Sequence, residues 1–440
     1  MADARKIALR ALESTRRAGT WSEAALNGAM ASAGAERRDR ALASALCYGV
    51  LQNRTLIDET IRAVSTQPLQ RIEPKVLDIL RLSVCQLLFL DKIPASAAVN
   101  EGVRLCRELG YARAAGFVNA VLRRIAAKPG LPETGIDAEG LALRWSHPLW
   151  LTRFLLDTLG PEEAEAFLRL DNTPAPLDLQ VNTLKTTAEA LRSSLAAEGV
   201  AAEPHPFLPD CLRTERGGDL TALRSYQEGG FYVQDAGAKL AVLAADPRPG
   251  TRILDACAAP GGKSFASAIL SGGTAEILSC DCRARKLDRL RDGARRLGLE
   301  GISVAAADAG AYQPELDGAF DLVLADVPCS GLGVIRKKPE IRWKDPAEFE
   351  GLPEKQLRIL KNVSRYVRPG GLLLYATCTV RPEENGDIVA RFLAEAPGFS
   401  PEDFSLPDGV PSERGARQLW PQRHGTDGFY FARLRKSGRL

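Results

Sequence analysis

The chain has 440 residues, 45% apolar and 26% charged, the make-up of an ordinary soluble protein with length for about three domains. No uncharged apolar run approaches the ~18 residues of a membrane span, and the start, MADARKIALRALES, lacks a signal-peptide block, so a cytoplasmic protein is expected. Net charge is only +3, but residues 1–128 carry 20 Lys and Arg against 12 Asp and Glu, which points to a polyanionic partner for that segment.

Nine cysteines without a signal peptide read as free thiols in a reducing compartment. Cys280 and Cys282 form a C-x-C with no second pair, and only three histidines exist, so no metal site is expected. Cys47, Cys85, Cys106 and Cys211 sit in apolar runs and read as small buried hydrophobes.

From Ala4 to about Ala127 apolar residues recur every 3.6 positions, which predicts an all-α bundle of about six helices. Pro74 and Pro94 mark helix starts, and the last helix is expected over 113–125. Residues 128–140 (KPGLPETGIDAEG) read as a linker. Helices at 148–159 and 161–170, a strand at 177–182, a helix at 187–198 and short strands within 200–214 follow, a small α+β segment. Asp235 is placed to cap a helix over 236–245. The expected domains are 1–128, 141–235 and 236–440.

Beyond Pro249 strands and helices alternate, the mark of an α/β, doubly wound parallel sheet. Strands are expected at 252–255, 276–280, 302–306, 320–325 and 372–376, with helices at 264–270, 283–297, 354–367 and 383–394. The tail GFYFARL (428–434) reads as a last strand at an edge, its charge supplied by Arg433, Arg435 and Lys436.

After the first of these strands comes a turn of small residues, Cys257, Ala258, Ala259, Pro260, Gly261 and Gly262, then Lys263. It presents backbone N–H groups where open α/β sheets bind ligands, although an ordinary tight turn has the same composition. A nucleotide-triphosphate loop needs glycine at 257, where Cys257 stands, and G-x-G-x-x-G is absent. That leaves a ligand such as S-adenosylmethionine, whose cationic groups suit acidic neighbours. Asp255, Asp281, Asp308 and Asp326 each end a strand. Singly each reads as well as a cap; together they describe a cofactor crevice, with Asp281 placed for a ribose diol.

Two more strand ends carry cysteine, DVPCSG (Asp326–Gly331) and ATCT (Ala376–Thr379). If those strands are neighbours, Cys329 and Cys378 face one crevice. Thiols there suit methylation of a pyrimidine at carbon 5, because addition of a thiolate to carbon 6 makes carbon 5 nucleophilic. The residues alone do not say which thiol attacks.

DACAAPGGKS, DVPCSGLGVIRKKPEIRW, YATCTVRPEEN and DGFYFARL together resemble the RNA cytosine-5 methyltransferases, and residues 1–128 are similar in layout to the RNA-binding bundle of the NusB antitermination factor. The resemblance implies a Rossmann-like S-adenosylmethionine-dependent methyltransferase sheet behind a small α+β subdomain and a NusB-like bundle. It makes Cys378 the nucleophile and Cys329 the helper in product release. It places 257–263 around the donor's amino-acid end, Asp281 on the ribose, Asp308 near the adenine, and Asp326 near the donor methionine and the target base. It implies small-subunit ribosomal RNA as partner, naked or partly assembled, and a monomer off the membrane. Val327 and Gly293 depart from the family's usual Ala and Asn. Arg336, Lys337, Lys338, Arg342, Trp343 and Lys344 are expected to hold RNA, as is Asn182, while His424 reads as a surface residue. The competing functions are a noncatalytic RNA-binding assembly factor, a cytosine-5 methyltransferase acting on tRNA, and an NTPase using 262–264.

Overall fold

Apolar residues at helical spacing build the first half of the chain. In the computed structural model, which describes residues 3–128, 130, 134–215 and 219–438, the chain folds as two compact units. Unit 1 is Met1–Thr173 with Ile335–Lys344; unit 2 is Pro174–Val334 with Asp345–Leu440. Part of the expected linker, 129 and 131–133, lies outside the described residues.

Unit 1 is helical: α1 (Ala4–Ala18), α2 (Ser22–Ser32), α3 (Arg37–Gln52), α4 (Arg54–Val64), α5 (Pro74–Phe89), α6 (Ala95–Glu108), α7 (Ala115–Ala127), α8 (Ala138–Arg144), α9 (Leu149–Leu159) and α10 (Pro161–Leu170). Seven helices, not about six, fall between Ala4 and Ala127, because α3 and α4 break at Asn53 with no proline or glycine to announce it. Helix α5 is the axis. It packs on α1, α3, α4, α6 and α7, and Val76–Gln86 is buried on every side. Two charges go inside with it: Arg81 donates to both oxygens of Asp58 and to Asp78, so its charge is paired as burial requires. Helices α9 and α10, read from sequence with the α+β segment, belong to unit 1.

The stretch Ile335–Lys344 also belongs to unit 1, and it corrects the expectation that Arg342 and Trp343 hold RNA. Arg342 is fully buried. Its guanidinium donates to the carbonyls of Gln52, Ser146 and Asp171 and to Asn172 Oδ1. Trp343 Nε1 donates to Leu51 O at 2.7 Å. Gln52 and Leu51 end α3, where carbonyls lack intrahelical partners and the dipole is negative, so a cation and an N–H are drawn in. Glu340 accepts from Ser22 N and Oγ, and Lys338 and Lys344 each stand 5.0 Å from the Trp21 ring.

Unit 2 opens with β1 (Leu177–Val181), α11 (Ala188–Ala197), β2 (Glu203–Pro204), β3 (Cys211–Thr214), α12 (Arg224–Gln227) and β4 (Phe231–Val233), an antiparallel sheet of order β2-β3-β1-β4. Asn182, just after β1, is wholly buried and donates to Gly229 O and Leu297 O, so it is a tie within the fold and not an RNA contact. Next come α13 (Ala236–Ala245), which Asp235 caps, β5 (Arg252–Asp255), α14 (Gly262–Leu270), β6 (Glu276–Asp281), α15 (Ala284–Leu297), β7 (Ile302–Ala306) and β8 (Phe320–Asp326). The chain closes with α16 (Leu352–Ser364), β9 (Val367–Thr377), α17 (Gly386–Glu395), β10 (Phe399–Pro401), β11 (Ala416–Leu419), α18 (Pro421–His424) and β12 (Phe429–Lys436).

The large sheet runs β10-β12-β9-β8-β5-β6-β7, with β11 also on β12. Strands β5 to β9 are parallel and β12 returns antiparallel. This is the expected α/β architecture, with one correction: β12 is interior, between β9 and β10. Its charges find partners there, Arg433 on Ala244 O, Arg435 on Glu402 and Lys436 on Val367 O. His424 is likewise half-buried, its Nδ1 against the backbone of Trp420. No helix among the described residues is long and apolar enough to cross a membrane.

Candidate active site

All the singled-out acids and both paired thiols stand at one edge of this sheet, because parallel strands send their C-terminal ends the same way. Strands β8 and β9 are neighbours with Asp326 opposite Ala376, so the loops leaving them start side by side. The two half-buried sulfurs of Cys329 and Cys378 lie 3.2 Å apart, and both thiols are free. The hydrogen bond to Cys378 and then burial push the Cys329 thiol well above the usual range.

A buried polar frame that sequence reasoning missed holds the two loops. Ser330 N donates to Glu384 Oε2 at 2.8 Å, and Gln356 Nε2 donates both to that oxygen and to Pro328 O. Cys329 is thus gripped on either side. Ser330 Oγ bonds Thr379 Oγ1 at 2.7 Å, and Thr377 Oγ1 donates to Asn385 Oδ1 at 2.6 Å. Glu384 and Asn385 lie in the quoted RPEEN, so a signal was present; Gln356 has none. Gly333 N donates to Cys378 O, and Gly428 N to Gly333 O. A Cβ on Gly333 would sit 1.9 Å from Gly428 O, so only glycine permits that approach.

Around β5 the chain forms the second wall. Ala256 N bonds Leu324 O and Ala258 N bonds Cys280 O, which pins 256–258 across the strand tips. The Ala259–Pro260 bond is cis and Gly261 has φ +115°. Helix α14 then starts at Gly262, and its first N–H groups lack intrahelical partners. Cys257 is half-buried beside this turn and Ala258 is buried. Lys263 turns back to Asp326, Nζ to Oδ2 at 2.6 Å, and lies 4.8 Å from the Phe429 ring. Burial works against its charge; Asp326 overrides that and holds the ammonium above its ordinary value.

Asp281 and Asp308 each spend Oδ1 on a backbone N–H two residues on, Arg283 and Gly310. The other oxygen of each has no partner among the described residues. The capping role is therefore real and still leaves each acid an acceptor. Free acceptors on two strand tips, bare N–H groups at α14 and a paired Asp326–Lys263 suit a polar, partly cationic ligand such as S-adenosylmethionine. Gly293 has a packing reason: a Cβ there would meet Phe265 Cζ at 2.5 Å.

Asp255 is fully buried under this wall, accepting from Ser264 Oγ at 2.7 Å, and burial pushes its carboxyl up to about 6. A raised folded-state value favours folding below the unfolded value of about 4, and that contribution is lost as pH rises through about 6. Asp255→Asn should therefore be less stable relative to wild type at pH 4 than at pH 7, read from denaturant midpoints. Parallel pH curves for the two proteins would contradict this.

Comparison with known proteins bears on the whole chain. The family model described as 16S rRNA methyltransferase RsmB/F matches residues 242–435, the NusB family matches 2–127, and the RsmF/B-like ferredoxin-like domain matches 147–221. The probable ribosomal RNA small subunit methyltransferase B of Bacillus subtilis (strain 168) is 35% identical over 99% of each chain. This chain belongs to the RsmB/F family of 16S rRNA methyltransferases. The ribosomal RNA small subunit methyltransferase B of Vibrio cholerae is 35% identical over 91% of this chain and 90% of its own. The crystal structure of PH0851 superposes with a TM-score of 0.83 at 27% identity, covering 98% of both chains. Membership in the RsmB/F family makes S-adenosylmethionine the cofactor of this fold.

Proposed function

We infer that this chain methylates carbon 5 of a cytosine in small-subunit ribosomal RNA through a covalent bond from Cys378. One observation carries the reading: two free sulfurs 3.2 Å apart on adjoining strand tips, beside the crevice that suits the donor. Methylation of an exocyclic amine has no use for such a pair. Bound S-adenosylmethionine supplies an electrophilic methyl group on its sulfonium. Cys378 adds to carbon 6 of the ring, which makes carbon 5 a nucleophile able to accept that methyl. Cys329, 3.2 Å away, assists the stage in which a base takes the carbon 5 proton and the Cys378–carbon 6 bond breaks, its electrons returning to the Cys378 sulfur.

The same reading puts 257–263 at the donor's amino-acid end, Asp281 at its ribose and Asp308 near its adenine. It puts Asp326, paired with Lys263, near the donor methionine and the target base. Residues 1–128 and 141–235 serve as RNA-binding segments before a catalytic segment, 236–440. Bisulfite sequencing of ribosomal RNA from cells with and without the protein tests it. One cytosine of the small-subunit RNA should lose protection when the protein is missing; unchanged protection at every position would return the chain to the role of an assembly factor.

A further inference from the structure

Helix α15 begins three residues after Asp281, and its charges are disposed unevenly. Leu287, Leu290, Ala294 and Leu297 form the buried stripe and turn the rest of the helix to solvent. In the C-terminal half the cations have partners on the helix surface or in neighbouring backbone. Arg291 pairs with Asp288 at 2.9 Å, Arg295 pairs with Asp292 at 3.1 Å, and Arg296 donates to Tyr226 O and Phe231 O. In the N-terminal half they do not. Arg283, Arg285, Lys286 and Arg289 are all exposed, and none has a side-chain partner among the described residues.

This arrangement opposes the helix. The N-terminal turn carries the positive end of the dipole and favours acids; here it has no acid and a cluster of cations. Other exposed cations of unit 2 do meet acids, Lys361 on Glu395 and Arg391 on Glu354 among them. Four unpaired cations at an end that repels them call for an anion from outside the chain. The end in question also opens on the edge of the sheet where Cys329 and Cys378 stand, since α15 leaves the C-terminal tip of β6.

We propose that the first two turns of α15, through Arg285, Lys286 and Arg289 with Arg283 beside them, bind backbone phosphates of the RNA strand. The inference rests on RNA being the substrate and adds a surface that the basic bundle of unit 1 does not include. Phosphate contacts position a strand without reading its sequence, and each one releases counterions.

The test is the salt dependence of binding to a full-length small-subunit ribosomal RNA transcript, for wild type and the triple variant R285Q/K286Q/R289Q. Each lost phosphate contact removes about 0.7 from the slope of log K against log salt for a single strand, so a fall of about 2 is expected. The control R291Q/R295Q removes the same kind of charge from the paired half and should move the slope by less than about 0.5. Melting temperatures check that both variants are folded. A triple-variant slope within about 0.5 of wild type overturns the inference and assigns this face to water or a protein partner. If wild type transfers no methyl group to RNA while the triple variant still loses slope, the catalytic reading fails and this one stands.

Discussion

Cys378→Ala should abolish methyl transfer while S-adenosylmethionine still binds, and Cys329→Ala should leave a protein–RNA adduct that survives denaturation. The two outcomes follow from the different jobs a sulfur can do at 3.2 Å from its neighbour. Without the attacking thiolate carbon 5 never becomes nucleophilic, and splitting one hard step into two is no longer available. Without the assisting thiol the first bond forms and the methyl group transfers, but release stalls with RNA on the enzyme. The Ser330–Thr379 and Ser330–Glu384 bonds hold both loops by groups other than the thiols, so neither substitution should unfold the site. Gel electrophoresis under denaturing conditions with labelled RNA reads the adduct. An adduct with Cys378→Ala and none with Cys329→Ala would exchange the roles; turnover in Cys378→Ala would end the covalent mechanism.

Arg342→Ala should cost about 3–5 kcal/mol of stability, since loss of a charged donor leaves several acceptors unsatisfied at about 1–3 kcal/mol each. The guanidinium is fully buried and serves four acceptors, Gln52 O, Ser146 O, Asp171 O and Asn172 Oδ1. Burial depresses its own value to about 10, and the carboxyl charge of Asp171 offsets part of that. Its loss also strips a favourable field from buried Asp171, whose carboxyl burial has raised to about 7. Urea unfolding followed by tryptophan fluorescence, with Arg342→Lys beside it, measures this. Lysine restores the charge but not the planar fork and should recover only part of the loss. An unshifted midpoint for Arg342→Ala would mean that water replaces the guanidinium without cost.

The strands at Arg252–Asp255 and Ile302–Ala306 were legible to the residue, because each is a short apolar run closed by turn residues. Strand β9 was half legible: a strand over 372–376 was expected, yet β9 starts at Val367 and takes in Pro369, Gly370 and Gly371 with a register shift against β8. The place of β12 was misjudged because Arg433, Arg435 and Lys436 look like edge protection. Their long stems let the charges reach carbonyls and Glu402 from inside a sheet. Arg342 and Trp343 carried the same ambiguity. A basic, aromatic segment has one composition whether it meets phosphate or the end of a helix, and only the burial of Arg342 decides. In the site, the thiols and acids were legible as motif residues, whereas Gln356 and the Lys263–Asp326 pair needed coordinates, since nothing local ties positions so far apart.

The backbone bond between Gly333 and Gly428 reaches into how the protein comes into being. Gly428 follows Cys378 by fifty positions, and with β12 it reaches the ribosome's exit after both sulfurs have been made. Until that hairpin arrives, β9 has an open flank and the carbonyl of Gly333 has nothing to receive. A nascent chain bearing both thiols thus still lacks the strand that covers this flank of β9, and the backbone tie between Gly333 and Gly428 closes late in synthesis.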